Sequence, residues 1–144
     1  MYRKIVVAVD GSESGERAFL AAADLAKTYD AELSILSVVP PHVAYAPSAP
    51  FPAPVTDEEM AAVRHLVETS ADKAKRRGVR TVKTAVVEGV VVDRILEAVE
   101  REKPDLLVVG ARGLSRSARL FLGSTSDGLV HHSLCPVLVV KAVR

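Results

Sequence analysis

Short apolar runs alternate with longer amphipathic stretches along nearly the whole chain. The first run, Ile5 to Val9, is rich in β-branched residues and has no polar position, which predicts a central parallel strand covered on both faces. In the stretch that follows, Ala18, Ala22 and Leu25 recur at helical spacing. Repeated to the end of the chain, the pattern predicts strands at 5–9, 33–39, 81–87, 106–109 and 136–140, and helices at about 12–29, 56–77, 89–103 and 124–133.

This alternation of strands and helices predicts an α/β fold. We expect a single domain over residues 1–144: a doubly wound, Rossmann-like, five-stranded parallel sheet in strand order 3-2-1-4-5 with about four helices. Ligands of such sheets bind beyond the carboxyl ends of the strands, where the winding direction reverses. Strands one and four are neighbours in this order, so Asp10 and residues 110–126 are expected to meet at that edge.

A proline-rich segment, residues 40–56, interrupts the alternation after the second strand. It holds six of the eight prolines, and we expect neither strand nor helix to form at that density. We interpret it as a loop inside the domain; a domain linker and a flap over a ligand are the alternatives. Thr56 and Glu59 then have the spacing of a capping box at the start of the second helix.

Composition and net charge argue against several classes of function. A net charge of +1, three Phe, three Tyr and no Trp argue against nucleic acid as the main partner. No apolar run reaches 18 residues, so we expect no membrane association and a cytoplasmic location. Cys135 is the single cysteine, and the adjacent His131 and His132 would point in different directions on a helix. We therefore expect no disulfide and no protein metal site.

The candidate binding chemistry lies after the fourth strand. Gly110 and Gly113 frame a turn, and Gly123 precedes a predicted helix start at Ser124, Thr125 and Ser126. A helix start offers unpaired N–H groups and a partial positive charge, which suits phosphate.

Arg112, Arg116 and Arg119 add positive charge between the glycines. Neither a Walker-type loop nor the usual dinucleotide fingerprint is present. Two alternatives need no ligand. Ser124 with Asp127 could form a capping box, and the whole role of Asp10 could be to cap the first helix.

The spacing Gly110-x2-Gly113-x9-Gly123-Ser124 resembles the signature of the universal stress protein family, in its ATP-binding branch. The resemblance extends to Ile5–Ser12, to Glu88-Gly89 and to the C-terminal stretch His131–Val140, and so covers essentially the whole chain. Many relatives have proline two residues after the glycine of Glu88-Gly89, where this chain has Val91. That departure affects the start of the third helix and not the site.

The resemblance implies a role for each matching position. Val9 and Asp10 would flank the adenosine, Val38 would pack on adenine, and Val109 and Gly110 would line the ribose and base. Mg²⁺ would bind through the phosphates, and a homodimer would form through the fifth strand, Val137–Val140. An apolar edge strand is an association hazard unless paired, which agrees with that dimer. The residues implied around the phosphates are Arg112, Gly113, Gly123, Ser124, Thr125 and Ser126.

The resulting expectation is an ATP-binding, regulatory stress-response protein whose bound state changes the 40–56 segment or the affinity for an unidentified partner. The alternatives are a slow ATP hydrolase or self-phosphorylating protein, a binder of AMP or cyclic AMP, and a nucleotide-free dimeric interaction module. No catalytic residue is assigned, because Asp10 and Asp127 are the only evident carboxylates at that edge and neither is clearly placed as a base.

Overall fold

The computed structural model describes residues 1–45, 50–111 and 123–141, with the backbone alone at 43–45 and 50–52. Strands and helices alternate, apart from one hairpin, as the apolar pattern predicts. The elements are β1 (Lys4–Ala8), α1 (Glu13–Tyr29), β2 (Glu32–Val39), β3 (His42–Tyr45), β4 (Pro50–Ala53), α2 (Asp57–Arg76), β5 (Thr81–Glu88), α3 (Val91–Glu102), β6 (Leu106–Gly110), α4 (Ser124–His132) and β7 (Val137–Val140).

The main sheet has five parallel strands in the order β5-β2-β1-β6-β7. Counting only these strands along the chain, the order is 3-2-1-4-5, which confirms the predicted fold class. Val7 in the central strand lies opposite Ile35 of β2 and Val108 of β6. All three side chains are fully buried, as expected for strands covered on both faces.

Each face of the sheet has its own apolar core. Phe19 and other residues of α1 and α2 pack with Ile5 and Val7 on one face. Ile95 of α3 and Leu129 of α4 pack with Val6 on the other. Helices therefore switch faces between the first two crossovers and the last two, and the winding direction reverses between β1 and β6. This is the edge at which the sequence places the candidate site.

Two helices begin with side-chain caps, and that of α2 is the capping box that the sequence predicts. Ser12 caps α1, its hydroxyl accepting a hydrogen bond from the N–H of Gly15 at 3.0 Å. The capping box of α2 is complete: Thr56 Oγ1 accepts from the N–H of Glu59 at 3.1 Å, and Glu59 Oε2 accepts from the N–H of Thr56 at 2.8 Å. These bonds satisfy N–H groups that the helices themselves leave unpaired.

The expectation that residues 40–56 form no strand is wrong. β3 and β4 pair antiparallel as a hairpin, with Val43 opposite Pro52 and Tyr45 opposite Pro50. The two prolines are two residues apart, so their backbone nitrogens face the same edge of β4. Neither proline therefore interrupts the hydrogen bonds that β4 makes from its other edge. A hydrogen bond between His42 Nε2 and Glu59 Oε1 attaches the hairpin to the start of α2.

Candidate functional site

The end of β1 forms the first wall of the site. The N–H of Val9 donates to the carbonyl of Leu36 at 2.9 Å, and its own carbonyl accepts from Ser37 Oγ at 2.7 Å. The Val9 side chain is buried in the core beneath α1. The backbone is therefore held firmly up to the point where Asp10, which is exposed, leaves the sheet.

Asp10 is tied to the first turn of α1 through one of its oxygens. Oδ1 accepts hydrogen bonds from the N–H of Ser12 at 2.9 Å and from Ser12 Oγ at 2.5 Å. Within the described ranges Oδ2 makes no hydrogen bond. The alternative that Asp10 caps α1 is wrong, because Ser12 is the N-cap. The carboxylate instead stabilises the turn before the helix, which occupies one oxygen and leaves the other for a ligand.

The end of β6 forms the second wall and packs closely against the same turn. A Cβ at position 110 would lie 2.7 Å from the carbonyl carbon of Ser14 and 2.9 Å from the nitrogen of Gly15. Gly110 is therefore required for packing, whether or not a ligand touches it. No local sequence pattern indicates this contact, because the two segments lie far apart along the chain.

The start of α4 joins this wall through Ala111. The carbonyl of Ala111 accepts hydrogen bonds from the N–H of Gly123 at 2.8 Å and from the buried hydroxyl of Ser126 at 2.8 Å. The hydroxyl of Ser126 also lies 3.1 Å from the carbonyl of Gly123. This side chain thus closes the loop between β6 and α4, a role that the sequence did not indicate.

The first turn of α4 has N–H groups without a partner among the described residues. Its first helical bond runs from the N–H of Asp127 to the carbonyl of Gly123 at 2.9 Å, and no side chain of the described ranges caps the helix. The N–H groups of Ser124, Thr125 and Ser126 therefore find no acceptor in the described part of the chain. The capping-box alternative is wrong, because Gly123 and not Ser124 occupies the N-cap.

The other predicted site residues differ in what the structure says of them. Val38 is half-buried and Val109 is buried, and both side chains pack in the core beneath α3 and α4. Arg112 and Gly113, like Arg116 and Arg119, lie outside the described residues. Asp10, Gly110 and the start of α4 are linked through the contacts of Ser12–Gly15 and Ala111, so the predicted edge does gather these three.

Among the clefts lined by described residues, two flank the fold. One of about 480 Å³ opens between α1 and α2 and reaches Val9, Gly11 and Ser12 at the carboxyl edge. A larger one of about 770 Å³ is formed by the end of α3 and by Leu134 and Cys135. The second cleft lies where α3 leads into β6, at the amino ends of the strands, and is therefore not the predicted site.

No set of three metal-ligating side chains occurs among the residues that the structure describes. Asp127 pairs with His131 at 3.4 Å.

Two carboxylates outside the site have displaced pKa values. The N–H groups of Arg3 and Lys4 lower the pKa of Asp105, and the N–H of Thr56, followed by His42, lowers the pKa of Glu59. These shifts belong to structural contacts. No described helix is long and apolar enough to cross a membrane.

Comparisons with a family model, with related sequences and with solved structures all lead to the same family. Residues 1–141 match the model of the universal stress protein family. Universal stress protein YxiE of Bacillus subtilis is 34% identical, with 98% of this chain and 100% of that protein covered. Among solved structures, UspA of Lactobacillus plantarum superposes with a TM-score of 0.83 at 26% identity, covering 96% of this chain and 97% of that one. A universal stress protein in complex with cAMP gives 0.74 at 31% identity, covering 99% and 98%.

Proposed function

The chain belongs to the universal stress protein family, and we propose that it is a regulatory protein that binds ATP at the carboxyl edge of its sheet. The phosphates lie at the start of α4, and the adenosine lies toward the ends of β1 and β2. Mg²⁺ is held through the phosphates and water, the coordination it favours, because the described residues supply no metal-binding cluster.

One observation carries this proposal: among the described residues no side chain caps the start of α4, which follows β6 beside the central strand β1. Helix starts normally find a side-chain acceptor, as α1 and α2 do here; α3 also lacks one, but it follows β5 at the far edge of the sheet. At α4 three successive N–H groups point away from the helix with no acceptor in the described ranges. Phosphate oxygens satisfy such groups and are attracted by the helix dipole. Ser124 is exposed and Thr125 half-exposed, so both are open to a ligand.

Asp10 supports the nucleoside part of the proposal. Its carboxylate keeps one oxygen without a hydrogen bond in the described residues, and a nucleoside offers hydroxyl and amino donors for it. The related universal stress protein in complex with cAMP also binds an adenine nucleotide. This relative leaves AMP and cyclic AMP as alternatives to ATP, and titration with the three nucleotides decides among them.

Ser124→Asp tests the phosphate site. The added carboxylate favours the helix start by about 0.3–1 kcal/mol, so the fold should hold. The same charge repels phosphate, and we expect ATP affinity to fall at least about tenfold, or 1.4 kcal/mol. Adenosine affinity should change far less. Thr69→Asp adds the same charge to an exposed position of α2 and serves as the control.

Calorimetric titration of the unaltered protein with ATP, AMP and cyclic AMP, with and without Mg²⁺, decides the proposal. The proposal is wrong if no nucleotide binds more tightly than about 1 mM, near 4 kcal/mol. It is also wrong if Ser124→Asp binds ATP as the control does. The nucleotide-free interaction module would then be the better description.

We propose binding rather than turnover. A hydrolase needs a carboxylate or imidazole free to accept a proton from water. The proposal assigns the remaining oxygen of Asp10 to the nucleoside and not to water at the phosphates, and Asp127 pairs with His131. Sustained phosphate release from the unaltered protein at saturating ATP, lost in Asp10→Asn or Asp127→Asn, would favour the hydrolase.

A second candidate property is self-association through β7. This strand forms one edge of the sheet, and Leu138 within it is 37% exposed. Exposed apolar edge strands pair readily with another chain. We propose a homodimer through Val137–Val140. Sedimentation of the unaltered protein should give a dimer, and Leu138→Lys should give a folded monomer; a monomeric unaltered protein contradicts this.

A further inference from the structure

The base of the β3–β4 hairpin lies beside the start of α2. His42 opens β3 and pairs with Ala53 of β4, and Thr56, three residues further on, is the N-cap of α2. A hydrogen bond joins His42 Nε2 to Glu59 Oε1 across this corner. We infer that this bond is a proton-dependent latch, which fastens the hairpin to α2 when His42 is protonated and loosens it when the ring is neutral. This inference does not depend on nucleotide binding.

Glu59 belongs to the helix start and to the latch at the same time. Its Oε2 accepts from the N–H of Thr56 at 2.8 Å, and its N–H donates to Thr56 Oγ1 at 3.1 Å, which completes the capping box. Its Oε1 is left for His42. In the described part of the chain, no other hydrogen bond or ion pair joins β3 or β4 to another element. The direction of the hairpin is therefore tied to α2 through one carboxylate.

Prolines restrict the two connections of the hairpin. Pro40 and Pro41 precede β3, and Pro54 follows β4. A proline ring fixes φ near about −65°, so these short connections swing less than ordinary ones. The hairpin therefore moves as a unit about its base, where the latch lies. Because it follows β2, it leaves the sheet at the carboxyl edge, and the latch thereby links pH to the surface on the side of the candidate site.

The geometry identifies the atom of His42 that takes up the proton. An ionised carboxylate accepts and does not donate, so the bond to Glu59 requires the hydrogen on Nε2. Nδ1 then holds the lone pair, and it has no hydrogen-bond partner among the described residues. A proton at Nδ1 gives the ring a positive charge and adds the attraction of opposite charges to the bond. Because the neutral ring still donates from Nε2, the latch weakens at high pH and does not open completely.

The charges around the pair favour the protonated ring. Asp57 and Glu58 flank Glu59 in the first turn of α2, and β3 and β4 contain no charged residue besides His42. The N–H of Thr56, followed by His42, lowers the pKa of Glu59 from its ordinary value of 4.5. The carboxylate is therefore ionised throughout the range of about pH 5 to 8 in which histidines take up a proton. The latch should weaken as the pH rises through that range, and it is lost as the pH falls through the lowered pKa of Glu59.

Hydrogen exchange of the hairpin backbone between about pH 5.5 and about pH 8 tests the latch. Both side chains are partly exposed, His42 by 54% and Glu59 by 38%, which limits the effect. Protection factors, corrected for the chemical exchange rate at each pH, should fall about twofold to fivefold over this range. His42→Gln keeps a donor that does not titrate, so its protection should not change with pH. Glu59→Gln keeps the oxygen that a capping box requires but removes the charge, and should show much less dependence.

His65→Gln is the matched control, because it removes an exposed histidine of α2 that makes no described bond to the hairpin. It should keep the full pH dependence of the unaltered protein, and thermal unfolding checks that each variant is folded. The inference is overturned if protection in the unaltered protein does not change with pH, or if the hairpin exchanges without protection throughout. It is equally overturned if His42→Gln or Glu59→Gln keeps the full dependence.

Discussion

Replacing Gly110 by alanine adds one methyl group where the end of β6 meets the first turn of α1. The new Cβ would lie 2.7 Å from the carbonyl carbon of Ser14 and 2.9 Å from the nitrogen of Gly15. Both atoms belong to backbone, so no side-chain rotation relieves the contact. Either α1 moves away from the sheet or β6 bends, and both disturb the core beneath α1.

The magnitude follows from two opposing effects. Overpacking costs about 1–3 kcal/mol, and backbone neighbours favour the upper half of that range. Alanine also restricts the unfolded chain, which returns about 0.4–1 kcal/mol. We expect a net loss of about 1–2.6 kcal/mol for Gly110→Ala. At roughly 2.1 cal/mol/K of unfolding entropy per residue, a chain of 144 residues loses about 3.3 °C in Tm per kcal/mol, so Tm should fall by about 3–9 °C.

Gly128→Ala is the matched control. Its Cβ would meet only the side chain of Val92, at 3.3 Å or more. That side chain can shift, and alanine is the better helix residue, so we expect stability within about 1 kcal/mol of the unaltered protein. Thermal and urea unfolding measure both variants. If Gly110→Ala unfolds within 1 °C of Gly128→Ala, a margin well inside the roughly 3 °C per kcal/mol above, the close contact does not limit stability and this reasoning is refuted.

Three further predictions use other contacts. Thr56→Ala should cost about 1 kcal/mol in urea unfolding by removing the α2 cap, and Thr56→Ser should recover most of it. The pKa of Asp105 is lowered from 3.8, so its carboxylate stabilises the fold above that pH and loses this effect as the pH falls through the lowered pKa. The difference in unfolding free energy between the unaltered protein and Asp105→Asn should therefore shrink in acid. A difference that does not change with pH contradicts this. Saturating ATP should slow hydrogen exchange in the β3–β4 hairpin; unchanged exchange means that the hairpin does not respond to the ligand.

The fold could be predicted from the sequence because its signals are local. The run from Ile5 to Val9 and the helical spacing of Ala18 and Ala22 each specify an element within a few residues. Short connections and right-handed crossovers then leave few ways to order five strands. The hairpin does not follow from the overall proline content of residues 40–56, because what matters is that Pro50 and Pro52 share one side of β4.

The candidate site was predictable only in outline. The predicted strand order makes β1 and β6 neighbours, and it therefore places Asp10, Gly110 and the start of α4 close together. Their contacts depend on distances that no local pattern contains. The buried hydroxyl of Ser126, expected at the phosphates, donates to Ala111 and closes a loop, and Gly110 is needed by Ser14 of α1. Residue types thus indicated the place, and the fold determined what each residue contacts there.

These contacts constrain how nucleotide binding could act as a signal. Asp10 and the start of α4 are already joined by protein contacts through Ser12–Gly15, Gly110 and Ala111. Because these walls are tied before a ligand arrives, binding need not order them, and little of its free energy is spent on building them. A ligand at 100 times its Kd would stabilise the fold by about 2.7 kcal/mol. A regulatory response must then come from elements outside this network, which points to the hairpin, held by the hydrogen bond of His42 and Glu59, and to β7 at the edge of the sheet.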